Sequence, residues 1–236
     1  MNQAGDQRKI WEHYQTHAVE SFDLAAPRLE YIADKIFKDA KLSGKEQPSV
    51  LNIGIGNGHI EEVILARGGA AASLDPDAVA VERMKTKGVI ARVGLIEELP
   101  FEDGLFDYVV VSEVLEHLTD AQRTKGLKEI SRVLRSGGAV VGTVPYNENL
   151  ADNMAVCPHC GEVFHRWGHQ KSFGVESLEK ELAQVFEVRL IKRTAFISFR
   201  KRKAIQKLKG MIRLLLAKAG SQIAFPNIFF FARKAS

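Results

Sequence analysis

Apolar and polar positions in this chain fall into short blocks whose period keeps switching. Residues 50–53 form an apolar run of strand length, and residues 60–66 carry apolar positions at helical spacing. The same pair recurs as a strand at 70–74 with a helix over 76–85. A third strand spans 89–93. Residues 106–111 are almost continuously apolar, as expected of a strand covered on both faces. A helix follows at 121–134, with Leu127, Ile130, Val133 and Leu134 on one face. Gly137 and Gly138 separate it from a strand at 139–144. Beyond an irregular stretch at 145–174 the pattern gives a helix at 176–186, a strand at 188–197, a helix at 204–219 and a last strand at 227–232. Ahead of the first strand, residues 7–38 read as helix broken before Pro27. Alternating strands and helices predict an α/β fold with a mostly parallel sheet.

The 236 residues, 45% of them apolar, suit a single domain over 1–236 with a real core. Within it we expect a helical cap at 1–45, an insertion at 146–174 and a basic helix at 200–219. No apolar run is long enough to span a bilayer. Asp6, Arg8, Lys9 and Glu12 make the start unlike a signal peptide. Two cysteines do not make a disulfide framework, so a cytoplasmic setting is the expectation. Charge is segregated. From residue 188 onward there are 13 Lys/Arg and no Asp/Glu, while the first 187 residues hold 20 Lys/Arg against 29 Asp/Glu. The net +4 therefore combines an acidic body with a basic tail, which argues for one localised basic face.

The first strand runs into Gly54-Ile55-Gly56-Asn57-Gly58. Glycine at alternate positions lets backbone approach a bound cofactor closely. Asp75 ends the second strand, where a carboxylate can hold ribose hydroxyls or cap the following helix. The dinucleotide pattern G-x-G-x-x-G fails here, because His59 stands at its third glycine. The G-x-G-x-G turn resembles instead the first motif of the class I S-adenosylmethionine-dependent methyltransferases, in particular the type 11 and quinone-biosynthesis-like members. The resemblance continues through Leu74-Asp75-Pro76, through residues 94–101, through Phe106 to His117 and through Leu134 to Gly138. It covers about residues 48 to 145.

That resemblance implies a Rossmann-like three-layer α/β/α sandwich with a seven-stranded sheet, and S-adenosylmethionine as cofactor. It points to Asn52, Gly54, Gly56, Asn57, Asp75, Pro76, Leu95, Ile96 and Ser112 as cofactor-binding residues. Two of these depart from the family pattern. Asn52 stands where an acid is usual and lacks the charge to pair with the methionine ammonium, and Leu95 stands where an Asp is common. The implied activity is methyl transfer to a small molecule, more readily at oxygen than nitrogen, with a saccharide, lipid-linked or quinone-like acceptor. A cofactor-binding scaffold without catalysis and a methyltransferase acting on nucleic acid are the alternatives, although no aromatic-and-basic stacking platform for nucleic acid is visible.

His117, with Glu113 and Glu116, falls just beyond the fourth strand, where an acceptor enters. A neutral imidazole there can take a proton near neutral pH or simply pack. Glu113, Glu116 and His117 also form E-x-x-E-H, which in some O-methyltransferases of this class joins a later histidine in holding a divalent cation. Cys157, Cys160, His165 and His169 have the spacing C-x2-C-x4-H-x3-H, which suits tetrahedral zinc in a lid over the acceptor pocket; a redox pair or plain thiols is the other reading. Phe164, Trp167 and Phe173 would line that pocket or fill the lid's own core. The basic helix interleaves Lys207, Lys209, Arg213 and Lys218 with Ile205, Leu208, Met211, Ile212, Leu215 and Leu216. It either packs its apolar side on the domain or rests residues 200–218 on an anionic membrane, peripherally at its inner face.

Overall fold

A computed structural model describes residues 4–197, 204–224 and 226–235; Arg200 to Lys203 at the head of the expected basic segment lie outside them. The core is one seven-stranded sheet. In chain order its strands are β1 (Ser49–Ile53), β2 (Ala70–Asp75), β3 (Ile90–Val93), β4 (Phe106–Ser112), β5 (Leu134–Pro145), β8 (Phe186–Thr194) and β9 (Asn227–Lys234), while β6 (Met154–Val156) and β7 (Val163–His165) make a separate hairpin. The sheet order is β3-β2-β1-β4-β5-β9-β8. The first five strands pair in parallel, and β9 runs antiparallel between β5 and β8. The order therefore reverses between β1 and β4. At such a point the crossovers diverge and leave a cleft beyond the strands' carboxyl ends.

Helices cover both faces. On one side α2 (Ala26–Leu42) and α3 (His59–Ala66) pack Ile32, Ile36, Ile60 and Ile64 against Val50, Tyr108, Val110 and Phe229. On the other, α5 (Asp120–Val133) and α6 (Val175–Leu182) pack Leu127, Ile130, Leu178 and Leu182 against Leu51, Val109, Val140 and Phe230. Adjacent residues of β4 thus serve opposite cores, which explains its unbroken apolar run. A further helix, α4 (Ala78–Lys85), covers the β3 edge of the sheet, packing Val81 and Met84 with Ala91.

Local chemistry sets the boundaries. Pro27 opens α2, and a 3-10 turn (Val19–Ala25) separates that helix from α1 (Ala4–His17). Asp77 caps α4 by accepting the Ala80 N–H at 2.8 Å, so the capping role open to Asp75 belongs to Asp77. Thr119 and Gln122 form a capping box at the head of α5. Gly137 and Gly138 do not separate helix from strand. Leu134 already pairs with Phe106, and the two glycines fall in an irregularity inside β5. The stretch expected to be irregular contains the β6–β7 hairpin. The basic helix is α7 (Ala204–Lys218).

Candidate active site at the carboxyl ends of the strands

The glycine turn begins where β1 ends. Gly54, Gly56 and Gly58 all hold positive φ, at 86°, 57° and 86°. A Cβ on Gly58 would lie 2.3 Å from Met84 Cε, so this glycine serves the packing of α3 on α4 as well as the turn. Gly54 is exposed and Gly56 half-buried, which leaves their backbone facing the cleft. The Asn57 side chain bonds Asp23, in the 3-10 turn, at 2.8 Å and accepts the His59 N–H at 3.1 Å. It ties the turn to the N-terminal segment.

Asp75, 6% exposed, accepts the Ile55 N–H at 2.8 Å through Oδ2 and the Asp77 N–H at 2.9 Å through Oδ1. One lone pair remains on each oxygen for ribose hydroxyls. Burial pushes its pKa up to about 6, against the opposing pull of the two amide bonds and of Arg83. A raised carboxyl contributes stability at low pH that is lost as pH rises through about 6, so the ionised form costs the empty fold something at neutral pH. Pro76, exposed, carries the chain out of the sheet. The positive-φ turn, the half-satisfied carboxylate and the exposed Gly54 fit a ribose-bearing cofactor.

Asn52 is not presented to the cleft. Its amide donates to the Gly54 carbonyl at 3.0 Å and to Glu61 Oε1 at 2.8 Å. Ser73 donates to the same Glu61 oxygen at 2.6 Å, and Glu61 Oε2 is buried without a partner. Burial raises the Glu61 pKa. A carboxylate therefore does stand beneath the glycine turn, supplied by α3 and not by β1. Sequence reading missed Glu61 because it looks like one more polar position in an amphipathic helix. Ile96 also differs from expectation: its side chain is in the core against Gly126, leaving only its backbone for a ligand. Leu95 is half-exposed beside it. Ser112 shares a hydrogen bond with Thr143 at 2.9 Å and accepts one from Arg28 Nε at 3.1 Å.

The other group of expected site residues stands where β4 meets the insertion. Glu113 sits at positive φ (56°), with its carboxylate bonded by Asn227 Nδ2 at 3.1 Å and with Arg28 at 3.8 Å. Among the described residues it is not in the group of potential metal ligands that holds Glu116 and His117. Glu116 is fully buried, and neither of its oxygens has a partner. Burial raises its pKa well above the usual range, and Glu113 adds to the shift. His117 is buried with Nδ1 unpartnered, and burial together with His169 depresses its pKa well below the usual value. Its ring meets the edges of Trp11, from α1, and of His169, each with centroids 4.5 Å apart. Residues 165–171 are held down on this floor, because Gln170 and Lys171 both donate backbone N–H groups to the Glu116 carbonyl.

The four residues of the expected zinc set are not brought together. In the hairpin, Met154 pairs with His165 and Val156 with Val163, so Cys157 and Cys160 occupy the turn while His165 sits at the other end. At about 3.3 Å per strand residue, that is roughly 10 Å of hairpin between them. Among the described residues, the groups of potential metal ligands are Glu116, His117 and His169, and Glu148, His165 and His169; neither contains a cysteine. Cys160 is exposed and Cys157 half-buried. Backbone N–H groups of Cys160 and His159 lower the Cys157 thiol's pKa. Phe173 belongs to the main core and not to a lid pocket, while Phe164 and Trp167 are partly exposed.

Residues 51–142 match the family model described as a methyltransferase domain. A ubiquinone/menaquinone biosynthesis C-methyltransferase of Geobacter sp. (strain M21) is 29% identical over 157 residues, which cover 58% of this chain and 66% of that protein. Over this segment the chain is similar to the class I S-adenosylmethionine-dependent methyltransferases. A solved relative in fold is the 1,6-didemethyltoxoflavin-N1-methyltransferase of Burkholderia thailandensis, with bound S-adenosylhomocysteine. It has a TM-score of 0.64 and 17% identity, over 99% of this chain and 88% of that one. The chain spans just under two thirds of the Geobacter protein and 62% of a similar protein of Xylella fastidiosa (strain M23). The family match ends at residue 142, so the insertion and α7 lie outside it.

Asn52→Asp restores the acid usual in this family, yet here it would face Glu61 and the Gly54 carbonyl. The expected result is a loss of roughly 3 kcal/mol of stability, the scale of an uncompensated buried charge. The new carboxyl pair has raised folded-state pKa values, so the loss should be smaller in acid and grow as pH rises. Thermal melts across pH measure it, and a variant as stable as the parent at every pH refutes the placement of Glu61.

Proposed function

We propose that this chain transfers a methyl group from S-adenosylmethionine to a hydroxyl oxygen on a small acceptor. The observation that carries the reading is the buried, unpartnered His117 Nδ1 at the acceptor side of the cleft, with the half-satisfied Asp75 carboxylate on the cofactor side. S-adenosylmethionine brings a methyl group already activated on a sulfonium, so the protein need only align the acceptor and receive its proton. As the oxygen–carbon bond forms and the carbon–sulfur bond breaks, the hydroxyl proton passes to His117. The depressed pKa keeps that imidazole neutral and able to accept. Glu116, held protonated by burial, is suited to donate a hydrogen bond to the acceptor. Asp75 holds ribose, and the glycine turn admits the cofactor's amino acid end. Trp11 covers His117 and helps exclude water. Glu116, His117 and His169 also fit a divalent cation, which would orient the hydroxyl and lower its pKa.

A second reading, C-methylation of a quinone-like ring, is favoured by the similarity to ubiquinone/menaquinone biosynthesis C-methyltransferases. One experiment separates the two. Metabolite extracts are incubated with enzyme and methyl-labelled S-adenosylmethionine, and the labelled product is identified by mass spectrometry and NMR. A methyl ether is expected, with His117→Ala slowing its formation by about 10²-fold or more. A carbon-bound methyl supports the second reading, and no labelled product from any extract overturns both.

The basic helix α7 gives this reading its setting. Leu208, Met211, Ile212 and Leu215 are 49–64% exposed, while Ala217 is buried against Ala195 and Ala224. The helix meets the domain through Ala217 and the partly buried Leu214, and presents its other large residues outward beside Lys209, Arg213 and Lys218. This combination suits an anionic membrane surface, and an amphiphilic acceptor held there. No helix among the described residues is long and apolar enough to cross a membrane. Flotation with vesicles containing phosphatidylglycerol should carry the protein upward, and Leu208→Ser/Leu215→Ser should abolish it. Equal flotation by both, or by neither, counts against the helix as a membrane contact.

A further inference from the structure

The chain's two cysteines stand at the tip of the β6–β7 hairpin, outside the family match. Backbone bonds close the turn that carries them. Cys157 donates its N–H to the Glu162 carbonyl at 2.8 Å, and Gly161 donates its own to the Cys157 carbonyl at 2.9 Å. Gly161 holds φ at 73°, a conformation that side-chain-bearing residues rarely adopt. Pro158 disfavours helical backbone at Cys157 and has no N–H to satisfy. Within this turn the backbone N–H groups of Cys160 and His159 are directed at the Cys157 sulfur, and the Cys160 thiol lies within hydrogen-bond reach of it.

Those contacts favour the thiolate of Cys157 and lower its pKa, against a weaker opposing push from Glu162. The thiolate is the attacking form in thiol–disulfide exchange. Cys160 is exposed and Cys157 half-buried, so the turn is open to a small disulfide. A second thiol already stands beside the attacking one, three residues on. The competing use of two such thiols is a structural metal, but a closed zinc site takes four ligands. Among the described residues, neither group of potential metal ligands contains a cysteine. The hairpin tip thus presents two neighbouring thiols to solvent without a metal-completing set.

We propose that Cys157 and Cys160 are a reversible thiol–disulfide pair that exchanges with low-molecular-weight disulfides of the glutathione class. The Cys157 thiolate attacks one sulfur of the small disulfide, which forms a mixed disulfide and releases one thiolate. Cys160 then gives its proton to solvent and attacks the Cys157 sulfur, which releases the second thiolate. The pair is oxidised by two electrons to an intrachain disulfide, and the small disulfide is reduced to two thiols. Excess small thiol runs the same steps backward. From this tip the hairpin leads through His165 to Gln170 and Lys171, whose N–H groups the Glu116 carbonyl holds. The exchange therefore sets a redox-dependent cross-link on the segment seated against the residues after β4. It is independent of methyl transfer, and its test reads thiols and mass alone.

The test uses the full chain, reduced, freed of reductant without oxygen, and incubated with glutathione disulfide and glutathione at graded ratios. Acid quenching, alkylation and mass spectrometry then count the free thiols, and zinc is measured in the protein as purified. The parent should lose both alkylation sites and about 2 Da, with one intrachain disulfide joining Cys157 to Cys160. Dithiothreitol should restore both thiols. Cys160→Ser should stop at a mixed disulfide with glutathione on Cys157, and Cys157→Ser should react about tenfold more slowly than Cys160→Ser. Circular dichroism checks each fold, with Cys157→Ala or Cys160→Ala replacing a serine variant that fails to fold. Thiols that stay free at every ratio, a disulfide between chains in place of the intrachain one, equal rates for the two single variants, or bound zinc that shields the thiols would each overturn the proposal.

Discussion

Asp75 is the hinge pin of the cleft. One carboxylate, almost wholly buried at the end of β2, accepts the Ile55 amide of the glycine turn and the Asp77 amide of the next crossover. It thereby fixes two loops to one another across the edge of β1. The glycines permit the turn's positive φ, but permission does not select one conformation; the two amide bonds do. Burial raises this carboxyl's pKa to about 6, a cost that a ribose diol would offset by donating to the remaining lone pairs. The cofactor end of the site is thus organised by a group under electrostatic load before any ligand arrives.

Beneath the turn lies a second buried carboxylate, Glu61, held by Asn52 and Ser73. The two acids divide the work. Glu61 is buried and organises the turn from below, while Asp75 holds the turn from the side through the Ile55 amide. Their proximity raises the pKa of Glu61 further, beyond the effect of burial. An amide at position 52 is then a physical necessity, because a third carboxylate would add repulsion to a pocket that already keeps one acid short of partners.

Much of this was legible in the chain. The strand–helix alternation, the glycine turn and Asp75 are local patterns, and local patterns survive folding. The unbroken apolar run of β4 marked a strand covered on both faces. What escaped depends on side-chain pairing between elements. Glu61 could not be distinguished from other polar positions on α3. Ile96 lay within the cofactor-side segment by analogy, but Gly126 on α5 opens a slot that draws its side chain into the core. The regular spacing of Cys157, Cys160, His165 and His169 suggested one site, but a hairpin turns linear spacing into opposite ends. Glu148 carried no signal at all, since it becomes a partner for two histidines only once β5 and β7 are placed.

The central claim is that Asp75 grips the ribose of a nucleoside cofactor in its ionised form. Calorimetric titration of S-adenosylhomocysteine into the full chain, from about pH 8 down to about pH 5, tests it most directly. Ribose hydroxyls favour the charged carboxylate, so affinity should be flat at high pH and fall as pH drops through about 6. Asp75→Asn should bind weakly and without that inflection. Affinity that ignores both pH and Asp75→Asn would contradict the account.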